Sequence, residues 1–366
     1  MESTLKRTWA VIDLDALKEN YDKLRRHIGP GVKFLGVVKA DAYGHGAIQV
    51  SRVLQRCGAD YLAVSSADEA VELRRGGITM PILILGHTPK EQVENLIRNN
   101  ITQAVTCRAK ALEYSEEAVR CGGTLKIHIK VDTGMSRLGY LVAGDHFATG
   151  VEGICESCRL PGLDAEGIFT HFAVSDEEDE ESREYTREQF ALFTAVIEKV
   201  EEKLGRKFRL RHCANSGAVA NWPEMLLDMV RPGLLVYGCG EGARKLGLRP
   251  VMRLMTSIST TKTYGPGTSV SYGRIFRTER TTRMGVVPYG YADGFFRSLS
   301  GRCSLMTAQG PAPQRGRICM DMCLIPLTDL PDVDVGDEVA VFGPHKPVEA
   351  LAALAGTIPH ALPFAG

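Results

Sequence analysis

A (β/α)8 TIM-type barrel followed by a mostly β domain is the α/β fold class this sequence predicts, on three observations. From Phe34 to about Arg231, eight short apolar runs alternate with segments of helical period, as β-α units around a parallel sheet do. The 366 residues exceed the roughly 250 of a single barrel, which leaves room for a second domain. After about Lys245 the texture changes to β-branched runs broken by Gly and Pro. The expected division is residues 1–245 as the barrel and 246–366 as the β domain, with residues 1–13 free to pair with the latter.

Trp9–Asp13 is strand-like, and Asp15–Ile28 is a helix with Leu17, Tyr21, Leu24 and Ile28 on one face. Barrel strands are expected at Phe34–Val38, Tyr61–Val64, Ile82–Leu85, Gln103–Thr106, Leu125–Val131, Leu163–Phe169, Arg209–Cys213 and Met229–Arg231. Helices between them include Gly46–Cys57, Ala67–Gly76, Lys90–Ile97 and Ser182–Leu204. The acidic run Asp176–Glu181 reads as a solvated loop rather than a metal site. The second domain is expected to hold strands at Met255–Tyr264, Thr281–Val287, Arg302–Ala308 and Val339–Phe342.

Lys+Arg and Asp+Glu both total 44, so charge gives no reason to expect nucleic acid or an anionic membrane as partner. Met1–Arg7 has no signal-peptide core and no apolar run reaches bilayer length, which reads as a cytoplasmic protein. Ten scattered cysteines suit a reducing compartment, and Cys155 with Cys158 lacks the second pair of a zinc ribbon, so no metal is expected.

The chemistry begins at Val37–Gly46, where an apolar strand ends in an amine, a phenol and permissive glycines. A lysine beside a desolvating strand loses its proton more readily and can condense with a carbonyl cofactor such as pyridoxal phosphate (PLP). Barrel chemistry gathers at the carboxyl ends of strands. There stand Lys39, Lys130, Arg137, His171, the Asn215–Gly217 turn and Arg231–Gly233. Ser216 and the amides near Gly233 and Leu234 suit an anion such as phosphate.

Together the strings Val37–Gly46, Lys130–Gly139, Thr170–Ala173, Asn215-Ser216, Met229–Gly238, Val270–Arg274, Tyr289–Gly294 and Gly316–Asp321 closely resemble the alanine racemase family, in family order over nearly the whole chain. The resemblance implies a PLP-dependent fold-type III enzyme that interconverts L- and D-alanine for peptidoglycan, working as a homodimer with shared sites. It implies Lys39 as the Schiff-base lysine and first base, and Tyr272 of a second copy as the opposite base. Tyr43, Asn215, Ser216, Gly233 and Leu234 would hold the cofactor with His171 against its ring and Arg231 at its nitrogen. Arg137, Met320 and Asp321 would bind the small amino-acid substrate, supported by Lys130 and Tyr291; Lys130 matches a position carbamylated in some members.

Two bases suit racemisation, because one proton leaves one face of the α-carbon and another arrives on the other. The chain departs from the family after Thr357-Ile358-Pro359, where His360 stands in place of the usual tyrosine and the usual final strand is not expected. That leaves a serine or broad-specificity racemase as the alternative enzyme. A non-catalytic PLP-binding protein is disfavoured by Tyr272 and its β domain.

Overall fold

The computed structural model of the chain describes residues 7–359. They form two compact units, one spanning Leu17–Arg249 and one joining the described residues up to Ala16 to those from Pro250 onward.

In the first unit, eight parallel strands stand in the order Met229–Val230, Lys33–Val37, Tyr61–Val64, Ile82–Ile84, Ile101–Val105, Leu125–Asp132, Leu163–Phe169 and Leu210–His212. The ring closes where Asp228 N donates to Arg211 O at 3.1 Å and Arg231 N to Ala214 O at 2.8 Å. This is the barrel read from the apolar runs, with every strand within two residues of its expected bounds. Each run forms a strand because burial takes nearly all of its residues; Ile101–Val105 is buried throughout. A further short strand, Tyr140–Leu141, pairs with the end of Leu125–Asp132. Inside the ring, Leu35, Val37, Ala63, Leu83, Leu210 and Met229 pack as one apolar cluster.

The helix Leu14–Ile28 buries Leu17, Tyr21, Leu24 and Ile28, and Tyr21 meets Phe34 edge to face with centroids 4.8 Å apart. Lys90–Ile97, expected as one helix, is a 3-10 turn at Lys90–Gln92 followed by the helix Val93–Arg98. The acidic run is exposed loop over Asp176–Asp179, as expected, and its last two residues enter a helix. Asp179 caps the long helix Glu180–Leu204 by accepting from Ser182 N at 2.9 Å, and Glu180 and Glu181 occupy its first turn, where the helix dipole favours negative charge. Cys155 and Cys158 are buried in the helix Phe147–Cys158, and all ten cysteines are free thiols.

In the second unit an antiparallel sheet runs in the order Thr8–Ile12, Met252–Ser257, Glu338–Phe342, Ser304–Thr307, Gly310–Pro313. A second sheet joins Thr260–Tyr264, Thr282–Val287 and Cys323–Pro326, and Ser269–Val270 pairs with Phe276–Arg277. Met255–Tyr264, expected as a single strand, is therefore two strands in different sheets. The change of sheet falls at Ile258 and Ser259, whose amides bond to Asp337 O at 3.0 Å and Val286 O at 2.9 Å. Among the described residues no helix is long and apolar enough to cross a membrane.

Candidate active site

At the carboxyl ends of its strands the barrel unit holds a cavity of about 360 Å³. Ten of the residues singled out from the sequence line it: Lys39, Tyr43, Lys130, Arg137, His171, Asn215, Ser216, Arg231, Gly233 and Leu234. Gly217, from the expected Asn215–Gly217 turn, also lines it, as do Ser65, Leu85, Gly86, Phe169 and Asp176, which were not anticipated. Ser65 and Leu85 follow the ends of the second and third barrel strands in the chain, so the strand-end rule itself was the signal for them.

Lys39 opens an unusual turn. Ala40, Asp41, Ala42 and Tyr43 all have left-handed backbones, with φ of 50°, 49°, 54° and 55°. L-residues in this region cost about 1–2 kcal/mol each, so the run stores on the order of 4–8 kcal/mol. It is held at its far side by Asp41 Oδ1, which accepts from Ala47 N at 2.6 Å. His45 Nδ1 lies 3.0 Å from Ala42 O and 2.8 Å from Tyr43 O. Two carbonyls can only accept, so that nitrogen carries the proton; burial lowers the His45 pKa to about 4 and keeps the ring neutral.

Among the described residues, four basic side chains, Lys39, Lys130, Arg137 and Arg231, line the cavity against one carboxylate, that of Asp176. Burial, then the charge of Arg137, lowers the Lys39 pKa, while Glu69 opposes the shift. Burial, then Arg231, brings Lys130 down to about 7; its Nζ donates to Val131 O at 2.8 Å and lies 5.4 Å from the Phe169 ring centroid. His171 is lowered by burial and by the surrounding cations, Arg231 foremost. Burial raises Tyr43 to about 12, which keeps its hydroxyl a proton donor.

A corner of the cavity is shaped for an anion. Ser216 Oγ receives Gly233 N at 2.9 Å and Leu235 N at 3.5 Å, so amides of this turn already point at an oxygen. A Cβ at Gly233 would fall 2.9 Å from the Tyr43 hydroxyl, so a side chain there would displace it. Asn215 supports the corner: its Oδ1 accepts from Ala218 N at 3.0 Å and from Ser175 Oγ at 2.7 Å.

Arg231 is fully enclosed, and burial lowers its pKa to about 10. Its guanidinium donates to Thr170 O at 2.6 Å and Cys213 O at 3.0 Å, and Nη1 lies 2.8 Å from His212 Nδ1. Since arginine only donates, His212 Nδ1 accepts and its proton sits on Nε2, 2.8 Å from His128 Nδ1. His128 must then carry its own proton on Nε2, which lies 3.4 Å from Glu166 Oε1 without the alignment of a hydrogen bond. Burial keeps both imidazoles neutral. A directed chain of N–H groups thus runs from Arg231 through the barrel interior toward a carboxylate.

Tyr272, Tyr291, Met320 and Asp321 belong to the second unit, where all four are exposed, Tyr272 by 67%. Tyr291 N donates to Cys319 O at 3.0 Å and Ala292 N to Met320 O at 2.9 Å, which joins their two turns. Ser271, left-handed at φ 63°, donates through Oγ to Arg317 O at 2.6 Å and fixes the start of the Tyr272 turn. Beyond it, a Cβ at Gly273 would lie 3.0 Å from Arg317 Nε. His360 lies outside the described residues.

An eight-strand parallel barrel with a cationic, lysine-bearing cavity at its strand ends defines a barrel protein built to hold a small anionic ligand. Residues 12–241 match the family model "Alanine racemase, N-terminal domain", and residues 251–364 match "Alanine racemase, C-terminal domain". The alanine racemase of Desulfovibrio desulfuricans is 42% identical over 363 residues, covering 98% of this chain and 95% of that protein. Among solved structures, alanine racemase of Clostridium difficile 630 superposes with a TM-score of 0.91 at 36% identity, covering 99% of this chain and 94% of that one. That of Bacillus anthracis with bound L-Ala-P gives 0.89 at 30%, covering 99% and 93%. The chain belongs to the alanine racemase family.

Proposed function

We propose that this chain is a PLP-dependent alanine racemase that interconverts L- and D-alanine and supplies D-alanine for peptidoglycan. One observation carries the reading: a lysine held below its ordinary range faces, in one cavity, an anion corner and a buried arginine, in a chain of this family.

The residues fit the cofactor. Tyr43, Ser216 and the Gly233–Leu234 turn offer hydroxyl and amide donors where phosphate would sit, and the missing Cβ at Gly233 keeps that corner open. His171 would lie against the ring and Arg231 at its nitrogen; guanidinium cannot accept, so a nitrogen facing it stays unprotonated. The cofactor would be held through Lys39 and, once the substrate's amine took the lysine's place, would supply an electron-withdrawing ring that renders the α-hydrogen acidic and leaves the Lys39 amine free.

The chain's own groups do the rest. Arg137 binds the substrate carboxylate, with Met320 and Asp321 beside it. Lys39 moves a proton at the α-carbon on one face, and its lowered pKa makes the neutral amine available nearer neutral pH. Tyr272 of a second copy moves a proton on the other face. Lys130, at about 7, is largely uncharged above neutrality, the state that carbamylation requires, and it would then brace Arg137. The exposed apolar side chains of Tyr272, Ile275, Met320 and Met322 suit the second copy of a cytoplasmic homodimer.

The test is direct. Purified protein with PLP is incubated with L-alanine and, separately, L-serine, and the D-enantiomer is measured by chiral chromatography. D-alanine should form faster than D-serine; no D-alanine would end this reading.

A further inference from the structure

Ser66 and Glu69 stand at the spacing of a helix capping box, and half of that motif is present: Ser66 Oγ accepts from Glu69 N at 3.3 Å and caps the helix Ala67–Arg75. In the reciprocal half, the glutamate turns back to the amide of the cap residue. Glu69 goes elsewhere. Its Oε2 accepts from Ser65 N at 2.7 Å and Ser65 Oγ at 2.9 Å, and its Oε1 accepts from Ala40 N at 2.6 Å. One carboxylate therefore ties the residue after Lys39 to the end of the neighbouring barrel strand, and both Lys39 and Ser65 line the cavity.

We infer that Glu69 is a positioning residue: by clamping Ala40 N to Ser65 it holds the left-handed turn at its lysine end and fixes the point from which Lys39 enters the cavity. Strained backbone persists only where its surroundings over-determine it. Asp41 and His45 secure the far side of the turn, through Ala47 N and through the Ala42 and Tyr43 carbonyls. Glu69 secures the near side. It also acts on Lys39 by charge, opposing the effects of burial and of Arg137. The inference deepens the racemase reading and rests on it for the role of Lys39.

Glutamine at this position keeps an acceptor for Ala40 N but loses the charge; alanine loses both. The test compares full-chain wild type, Glu69→Gln and Glu69→Ala. Lys39 is titrated in cofactor-free protein by trace acetylation and peptide mapping, and kcat and KM for alanine are measured with PLP restored. The Lys39 midpoint should move down in both variants. A misplaced reacting group should cost kcat about 10-fold in Glu69→Gln and about 100-fold in Glu69→Ala, with KM little changed. An unmoved midpoint with kcat within about twofold of wild type, even if melting falls, would leave Glu69 a helix-capping residue and overturn the inference. If Glu69→Ala does not fold, Glu69→Gln decides alone. The titration needs no substrate: a shifted Lys39 in a protein that makes no D-alanine would uphold the clamp and reject the racemase reading.

Discussion

Replacing Glu166 with glutamine probes the buried chain that begins at Arg231. Glu166 accepts from the Tyr61 hydroxyl at 3.3 Å, Thr102 Oγ1 at 3.4 Å and Arg209 Nη2 at 3.3 Å, and His128 Nε2 lies 3.4 Å away without a hydrogen bond to it. Burial alone would raise its carboxyl, but contacts with His128 and Arg209 outweigh it and hold the group at about 2. Set against an ordinary glutamate near 4.3, a depression of about two units corresponds to about 3 kcal/mol. His128 is neutral at pH 7 and brings neither a charge nor an aligned N–H to the carboxylate, which reduces the gain to about 2 kcal/mol. The folded value lies below the unfolded one. The contribution is therefore complete above about 4.3 and is lost as pH falls toward about 2. In thermal unfolding near pH 7, Glu166→Gln should lower the apparent Tm by roughly 4–8 °C, and the gap to wild type should narrow between about pH 4.3 and 3.5. Equal melting at pH 7, or a gap that stays constant through pH 3.5, would refute a carboxylate stabilised in this way.

Three further outcomes follow from the same geometry. Ala40→Gly should raise the melting temperature, because Ala40 sits at φ 50° and glycine there relieves about 1 kcal/mol; an unchanged or lower Tm would speak against stored strain. Gly233→Ala should loosen PLP about tenfold in equilibrium dialysis, since the new Cβ displaces the Tyr43 hydroxyl, whereas unaltered retention would remove Tyr43 from the phosphate corner. Tyr272→Phe should retain PLP yet slow α-proton exchange about 10²–10⁴-fold for one enantiomer far more than for the other; equal, mild slowing of both would exclude it as a face-specific base.

The barrel was legible because each strand is a short apolar run closing on polar or glycine residues, and the cavity residues were legible because they follow those runs. The second unit was less so. Met255–Tyr264 reads as one strand because no Gly or Pro marks its change of sheet at Ile258-Ser259, which depends on partners at Asp337 and Val286. Gly310–Pro313 pairs with Ser304–Thr307 although two of its four residues are proline, a composition that hides a strand. In the site, the left-handed run at Ala40–Tyr43 contains no glycine to announce it, so the bond from Ala40 to Glu69 could not be read. Glu69 had only the signature of a helix cap. Likewise, Glu166 is an ordinary strand residue until the chain through His128 and His212 is traced in space.

The most direct measurement is activity in mixed dimers of Lys39→Ala and Tyr272→Phe chains. Each variant alone should be nearly inactive. Co-expressed chains form about half heterodimers, each with one of two sites combining an intact Lys39 with an intact Tyr272, so racemisation of alanine should recover to roughly a quarter of wild type. A mixture that stays as inactive as its parents, while both chains co-purify as one dimer, would contradict a two-base site assembled from two copies.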